Sequence, residues 1–316
     1  MTSSDCEGAG ETFRVRSPSD TPDSEPKRYL SVSSQLHLEA LASCVSRVYT
    51  LAPAFRAEES DTARHLQEFW MLEAEESFLA ERTPEALEQV MSLVEDCVRT
   101  TASRAFAREP DALAFFDQQR PGLADSLDKA IGEKAAQWTR LSYADAVREL
   151  IAYDESAAGT DKFHFTPALG KALQTEHEQF LAESVCGGRP VFICDYPAAV
   201  KPFYMLPTNA SDDVAHDQAG GQAGTVANFD LVLPRVGELA GGSLREHREQ
   251  ALLQSLEAHG LDKEAYDWYV DLRRFGTARH GGFGMGWERL VCWLSGMPNV
   301  RVRSISHSAR VRQSDR

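Results

Sequence analysis

The sequence predicts an α+β domain, a mostly antiparallel sheet with helices packed on it. Strand candidates at 47–57, 68–78, 189–196, 225–233 and 281–285 cluster without regular β–α–β alternation, which disfavours an all-parallel sheet. Between them, apolar residues recur at helical spacing in separate runs. The chain has 316 residues and is 42% apolar, enough for a sizeable core. Length admits one large domain or two small ones, and we expect one spanning 1–316.

The elements follow in order. The opening stretch, 2–15, reads TSSDCEGAGETFRV, an acidic-glycine turn leading into strand-like 12–15. Residues 17–27 are rich in Ser, Pro and Asp and read as an exposed loop. The segments 47–57 and 68–78 pair as a hairpin around a polar loop, 59–67, that carries Arg64 and His65. Thr83 reads as a helix N-cap with Pro84 at the first helical position. Leu87, Val90, Met91, Val94, Cys97 and Val98 then keep helical spacing. Ser142 with Asp145 opens another helix, carrying Val147, Leu150 and Ile151. The polar, Gly-rich stretch 207–224 reads as a surface insertion, and Ser243 as the cap of a helix that stops near Gly260. The end, 302–316, is a basic tail.

Charge and composition exclude several classes. A net charge of −15 argues against a broad nucleic-acid-binding face, though the tail leaves room for a local one. No apolar run reaches 18 residues, so no membrane span is expected, and the start lacks a basic-then-apolar leader pattern. Cys6, Cys44, Cys97, Cys186, Cys194 and Cys292 never form a CxxC. They read as reduced thiols of a cytoplasmic protein.

Three constellations carry chemistry. In the hairpin, Arg56 and Glu58 point together on one strand and Phe69, Met71, Glu73 and Glu75 on its partner, so one face carries an arginine, several acids and an aromatic ring. Arginine can clamp a carboxylate or phosphate with two bonds, and an aromatic ring can stack on a base. A cross-strand ion pair beside a core Phe is the plainer alternative. In the second, Asp230 and Glu238 lie on adjoining strands, followed by Gly241-Gly242-Ser243 and Arg245. Two carboxylates suit Mg²⁺, and paired glycines allow close backbone approach to a ligand. A hairpin with a helix cap reads equally well there. In the third, Gly281-Gly282-Phe283-Gly284-Met285-Gly286-Trp287-Glu288-Arg289-Leu290 is a flat Gly-rich strand running into a helix start, where amides and Arg289 can meet phosphates. Together they suggest an ATP site without a P-loop.

The hairpin and Gly-Met-Gly-Trp-Glu-Arg-Leu resemble motifs 2 and 3 of the class II aminoacyl-tRNA synthetases. The finer resemblance, within the aspartyl/asparaginyl subgroup, is to the asparaginyl enzymes. It is carried by Asp5-Cys6-Glu7-Gly8-Ala9-Gly10-Glu11, Val32-Ser33-Ser34-Gln35-Leu36-His37-Leu38-Glu39-Ala40, Glu68-Phe69-Trp70-Met71-Leu72-Glu73, Phe203-Tyr204-Met205 and Trp268-Tyr269-Val270-Asp271-Leu272-Arg273-Arg274-Phe275-Gly276. The matches keep the family's order from residue 3 to about 301.

The resemblance implies a class II fold, an antiparallel sheet flanked by helices, and activation of asparagine by ATP to an aminoacyl adenylate. It implies that Arg56 binds the substrate carboxylate and α-phosphate, that Glu58 and Phe69 hold adenine, and that His65 and Arg289 meet the outer phosphates, with Gly286 at the ATP site. It assigns Asp230 and Glu238 to Mg²⁺, with Glu238 also at ATP. Glu7, Ser33, Gln35 and Glu73 fall to the substrate ammonium, and Ser243 and Arg245 to the rest of the amino-acid pocket. The aspartyl enzymes carry a lysine where this chain has Leu38, which favours an uncharged side-chain amide. The anticodon-binding barrel and motif 1, from which the family builds its homodimer, have no counterpart in this sequence. After Asn299 the family's Pro-Phe-Pro-Arg run is replaced by Val302 to Arg310. Two alternatives follow: a tRNA-independent paralogue that activates aspartate or a related acid for transfer to ammonia or an amine, and a non-catalytic binding module.

Overall fold

The computed structural model describes residues 12–17, 28–57, 66–132, 134–157, 159, 162–210 and 224–302. Among them a seven-stranded sheet organises the chain. Its strands are β3 (Arg47–Phe55), β4 (Glu68–Ser77), β5 (Thr139–Ser142), β6 (Val191–Cys194), β7 (Asn228–Leu233), β8 (Gly237–Leu244) and β9 (His280–Gly286), in spatial order β3-β4-β9-β8-β7-β6-β5. Every neighbouring pair is antiparallel except β5 with β6. Two short strands, β1 (Arg14–Val15) and β2 (Arg28–Tyr29), pair separately. The expected class, antiparallel sheet with flanking helices, is the one found.

Pleating divides the sheet's side chains between two faces. Phe229, Leu231 and Leu233 of β7, with Phe283 and Met285 of β9, bury against α2 (Thr83–Arg108) and α4 (Leu123–Ile131). The α2 stripe of Leu87, Val90, Met91, Val94 and Val98 is buried there. Residues between them in the strands turn to the other face. At one end of that face, Ile193 and Val232 pack with α5 (Tyr143–Ser156) and with Phe180 at the end of α6 (Thr175–Phe180). Elsewhere, α1 (Gln35–Val45), α7 (Glu249–Ala258) and α8 (Asp267–Arg274) build an aromatic cluster with Phe203 and Tyr269.

Some boundaries differ from expectation. Ser142 caps α5 as expected, accepting from Asp145 N at 3.1 Å. The cap of α2 is Arg82 rather than Thr83, one residue earlier. Ser243 caps no helix: it is fully buried inside β8, and α7 starts at Glu249 after Arg248. The helices α3 (Pro110–Gln119) and α4, and strand β5, were not anticipated. The ends of the expected insertion are pinned by bridges Pro197–Thr225 and Pro207–Val226, and 211–223 lies outside the described residues, as do 18–27 and the tail beyond 302.

Candidate active site

Opposite the α2 layer the sheet floors a cavity of about 660 Å³, within the range of small-molecule sites. Four residues in one register row define it. Asp230 of β7 pairs with Gly241 of β8, which pairs with Gly284 of β9, which pairs with Glu73 of β4. Two carboxylates thus face each other over a floor of two glycines. A Cβ on Gly241 would sit 3.5 Å from both Asp230 Oδ1 and Glu238 Oε1, and one on Gly284 would sit 3.3 Å from Met71 Sδ. The missing side chains are what keep the trough open.

A β-bulge supplies the third acid. The β7–β8 register slips after Leu231, so that Leu231 faces Ala240 while Val232 faces Glu238. Glu238 and Gly241 are three apart and would point to opposite faces of a regular strand. The extra residue, Leu239, returns both to the cavity face, the use to which bulges near sites are put.

Glu73 forms one wall. Its carboxylate accepts from Ser33 Oγ and from Ser34 N at 2.9 and 3.0 Å. Burial pushes its carboxyl upward, opposed by those hydrogen bonds and by the charge of Arg56. Behind this wall lies a buried ionic network. Arg245 pairs with Glu75, donates to Ser243 Oγ at 2.7 Å and approaches Glu39 at 3.8 Å. Glu39 is held in turn by Arg273 at 2.8 Å, Tyr269 OH at 2.7 Å and His280 at 3.0 Å. Burial opposes ionisation of Glu39, but Arg273, His280 and Arg245 together hold its carboxyl well below the usual range. Glu75 moves the other way, raised by burial and by the charge of Glu39 against the pull of Arg245.

Asp230 forms the opposite wall. Lys201 Nζ donates to both its oxygens, at 2.8 and 2.6 Å, and sits 3.9 Å from the Tyr196 ring centroid. Burial raises the Asp230 carboxyl, Lys201 opposes that shift and Glu238 adds to it. Among the described residues no group of three or more His, Cys, Asp or Glu could hold a metal. The two oxygens converging on Gly241 nonetheless fit Mg²⁺, which takes one or two carboxylates and completes its shell with phosphate and water oxygens.

At the open end, the Arg56 guanidinium lies 5.6 Å from the Phe69 ring centroid. Arg289, in the first turn of α9 (Trp287–Ser295), donates to Glu238 O at 2.7 Å. Glu288 accepts from Trp70 N at 3.0 Å where β4 outruns its neighbour. This fixes the Phe69 end of β4.

Ser33, Gln35, Arg56, Phe69, Glu73, Asp230, Glu238, Arg245, Gly286 and Arg289 all line this one cavity. Ser243 does not, and acts on it through Arg245. Glu7, Glu58 and His65 lie outside the described residues. Lys201, a lone cation in the apolar run before Phe203, and His280 stand out in no motif, while Glu39 and Arg273 lie within the resembling segments without an assigned role. Glu75 stands out only as a face-mate of Glu73.

The sequence pattern of the tRNA synthetases class II (D, K and N) matches residues 1–305. The chain belongs to this family. The asparagine–tRNA ligase of Rhodopirellula baltica is 42% identical over 315 residues, covering 95% of this chain and 58% of the relative. Mouse asparaginyl-tRNA synthetase is 39% identical over 308 residues, covering 95% and 59%. This chain therefore spans under two thirds of the length of these relatives. The Pyrococcus horikoshii asparaginyl-tRNA synthetase complexed with asparaginyl-adenylate superposes with a TM-score of 0.76 at 29% identity, over 95% of this chain and 59% of that one. An Entamoeba histolytica aspartyl enzyme reaches 0.67 at 25% identity, over 86% and 50%. No described helix is long and apolar enough to cross a membrane.

Proposed function

We propose that this chain, as a single class II catalytic domain, activates asparagine with ATP to asparaginyl adenylate, the first half-reaction of an asparagine–tRNA ligase. The observation that carries the reading is the glycine-floored trough with Glu73 at one wall and Asp230 and Glu238 at the other. It is asymmetric in the way the reaction requires. The Glu73 side offers a buried carboxylate to an ammonium group and Arg245 to a side-chain carbonyl. The Arg56, Phe69 and Arg289 side offers a stacking ring and two guanidiniums to a nucleotide.

The substrate carboxylate oxygen bonds to the α-phosphorus as the bond to the pyrophosphate oxygen breaks. Both reactants are anionic, so alignment and charge neutralisation dominate over any side-chain nucleophile. Arg56, beside Phe69 and near Glu73, is placed to hold the attacking carboxylate against the α-phosphate. Arg289 is placed for the departing phosphates. Asp230 and Glu238 would hold Mg²⁺, which when bound neutralises phosphate charge. The names of the relatives favour this reading over the tRNA-independent ligase and the non-catalytic module. Transfer to tRNA, a homodimer and a cytoplasmic location complete the proposal. The test is ATP–pyrophosphate exchange: asparagine should support it, and folded protein that exchanges with no amino acid overturns the reading.

A further inference from the structure

We propose that Glu39, which lines no part of the cavity, sets the discrimination between a substrate amide and a substrate carboxylate. The inference rests on the amino-acid-activating reading above and adds a specificity residue to it. Glu39 is buried behind the wall, and its two oxygens face opposite ways. Oε1 accepts from Gln35 Nε2 at 3.1 Å and lies 3.8 Å from Arg245 Nε. Oε2 accepts from Tyr269 OH and Arg273 Nη2 and faces His280. The negative end of the Glu39–Arg273 pair therefore points at Gln35 and Arg245, two of the cavity-lining residues assigned to the amino acid.

The consequence is electrostatic. Arg245 stands between Glu75 and Glu39, and with Arg273 on the far oxygen of Glu39 the two acids and two guanidiniums already balance. A substrate carboxylate placed against it is a third acid, whereas an amide carbonyl adds no charge. In a buried site such a difference is far larger than in water, and charge mismatch is a strong basis for rejection. The neighbouring Leu38 is buried and supplies no cation. Whatever proton His280 carries, Glu39→Gln changes this set by one negative charge while keeping the side chain's shape. A residue that merely braced the fold would weaken asparagine and aspartate alike.

The experiment uses the full 316-residue chain and measures the affinities for asparagine and aspartate by calorimetry alongside exchange rates with each. Glu39→Gln should lower the asparagine-to-aspartate preference by about tenfold or more. Because it leaves Arg273 without its buried partner, the second variant joins Glu39→Gln to Arg273→Gln, removing the pair together, a change buried pairs tolerate better. That variant loses the dipole aimed at Arg245, so its preference should also fall, by about threefold or more. An unchanged preference in either folded variant, with both amino acids weakened equally, overturns the inference. Wild-type protein that binds asparagine without exchanging overturns the activation reading alone, since the affinity ratios still decide the role of Glu39. Wild-type protein that binds neither amino acid overturns both.

Discussion

Asp230 and Glu73 occupy one register row of the sheet with only Gly241 and Gly284 between them. Glu73 is buried and Asp230 half-buried, and each has a different partner, Lys201 for Asp230 and the Ser33–Ser34 segment for Glu73. The trough between them is a backbone surface, and its width is set by strand spacing rather than by mobile side chains.

Gly241→Ala tests that trough. The added methyl meets Asp230 and Glu238 oxygens at ordinary contact distance, so unfolding free energy should change by no more than about 1 kcal/mol. It projects into the space where a ligand would lie, so nucleotide binding should fall by an order of magnitude or more. Paired urea unfolding and ATP titration check this, and parallel losses in both would contradict it.

Glu73→Gln separates stability from binding. The carboxyl is raised in the folded state by burial, against Ser33, Ser34 and Arg56. A group raised on folding contributes fully below its unfolded pKa and loses that contribution as pH rises through the folded one. Removing it should flatten the fall in stability above about pH 4, while asparagine affinity drops. Unfolding midpoints at several pH values, compared with wild type, read out the slope.

How much of this was legible in the sequence depends on what each feature is made of. β4 and β9 were readable because alternation and spaced glycines are local. The second half of β8 holds Gly241 and Gly242, poor strand formers, and so reads as turn and cap, which is why Ser243 was misplaced. The bulge at Leu239 is a property of register between two strands and leaves no local mark, although it aims Glu238. β5 is four residues long with no buried alternation. The Glu39 network was invisible for another reason: charged residues on amphipathic helices normally face solvent, and only the packing of α1 on α8 buries these. Asp230, Glu238, Arg56 and Arg289, which line one cavity, stand out in the sequence because their motifs are compact.

Lys201→Met probes the cation at Asp230. Wild-type Asp230 carries a fixed ammonium on both oxygens. Without it, two acids face the floor unopposed, and the fold should lose about 3 kcal/mol, the scale of a broken buried pair. Added Mg²⁺ should then raise the Tm of Lys201→Met more than that of wild type. Equal Mg²⁺ shifts in the two proteins would show that Lys201 does not occupy the cation's place.

Arg245→Lys is not conservative here. The guanidinium spans Glu75 and Ser243 and lies 5.2 Å from the Tyr204 ring centroid, geometry that a point-charge ammonium does not reproduce. Stability should fall by about 3 kcal/mol, and asparagine affinity should fall with it, while ATP affinity holds within about threefold because the nucleotide side is built from Arg56, Phe69 and Arg289.

The most direct measurement is of the adenylate itself. Purified protein is incubated with Mg²⁺, α-labelled ATP and one amino acid at a time, and the labelled products are separated. The predicted result is labelled asparaginyl adenylate with asparagine, little with aspartate, and none with either when Arg56→Ala replaces wild type. Folded wild-type protein that forms no adenylate with asparagine, or forms it equally from aspartate, would contradict the account.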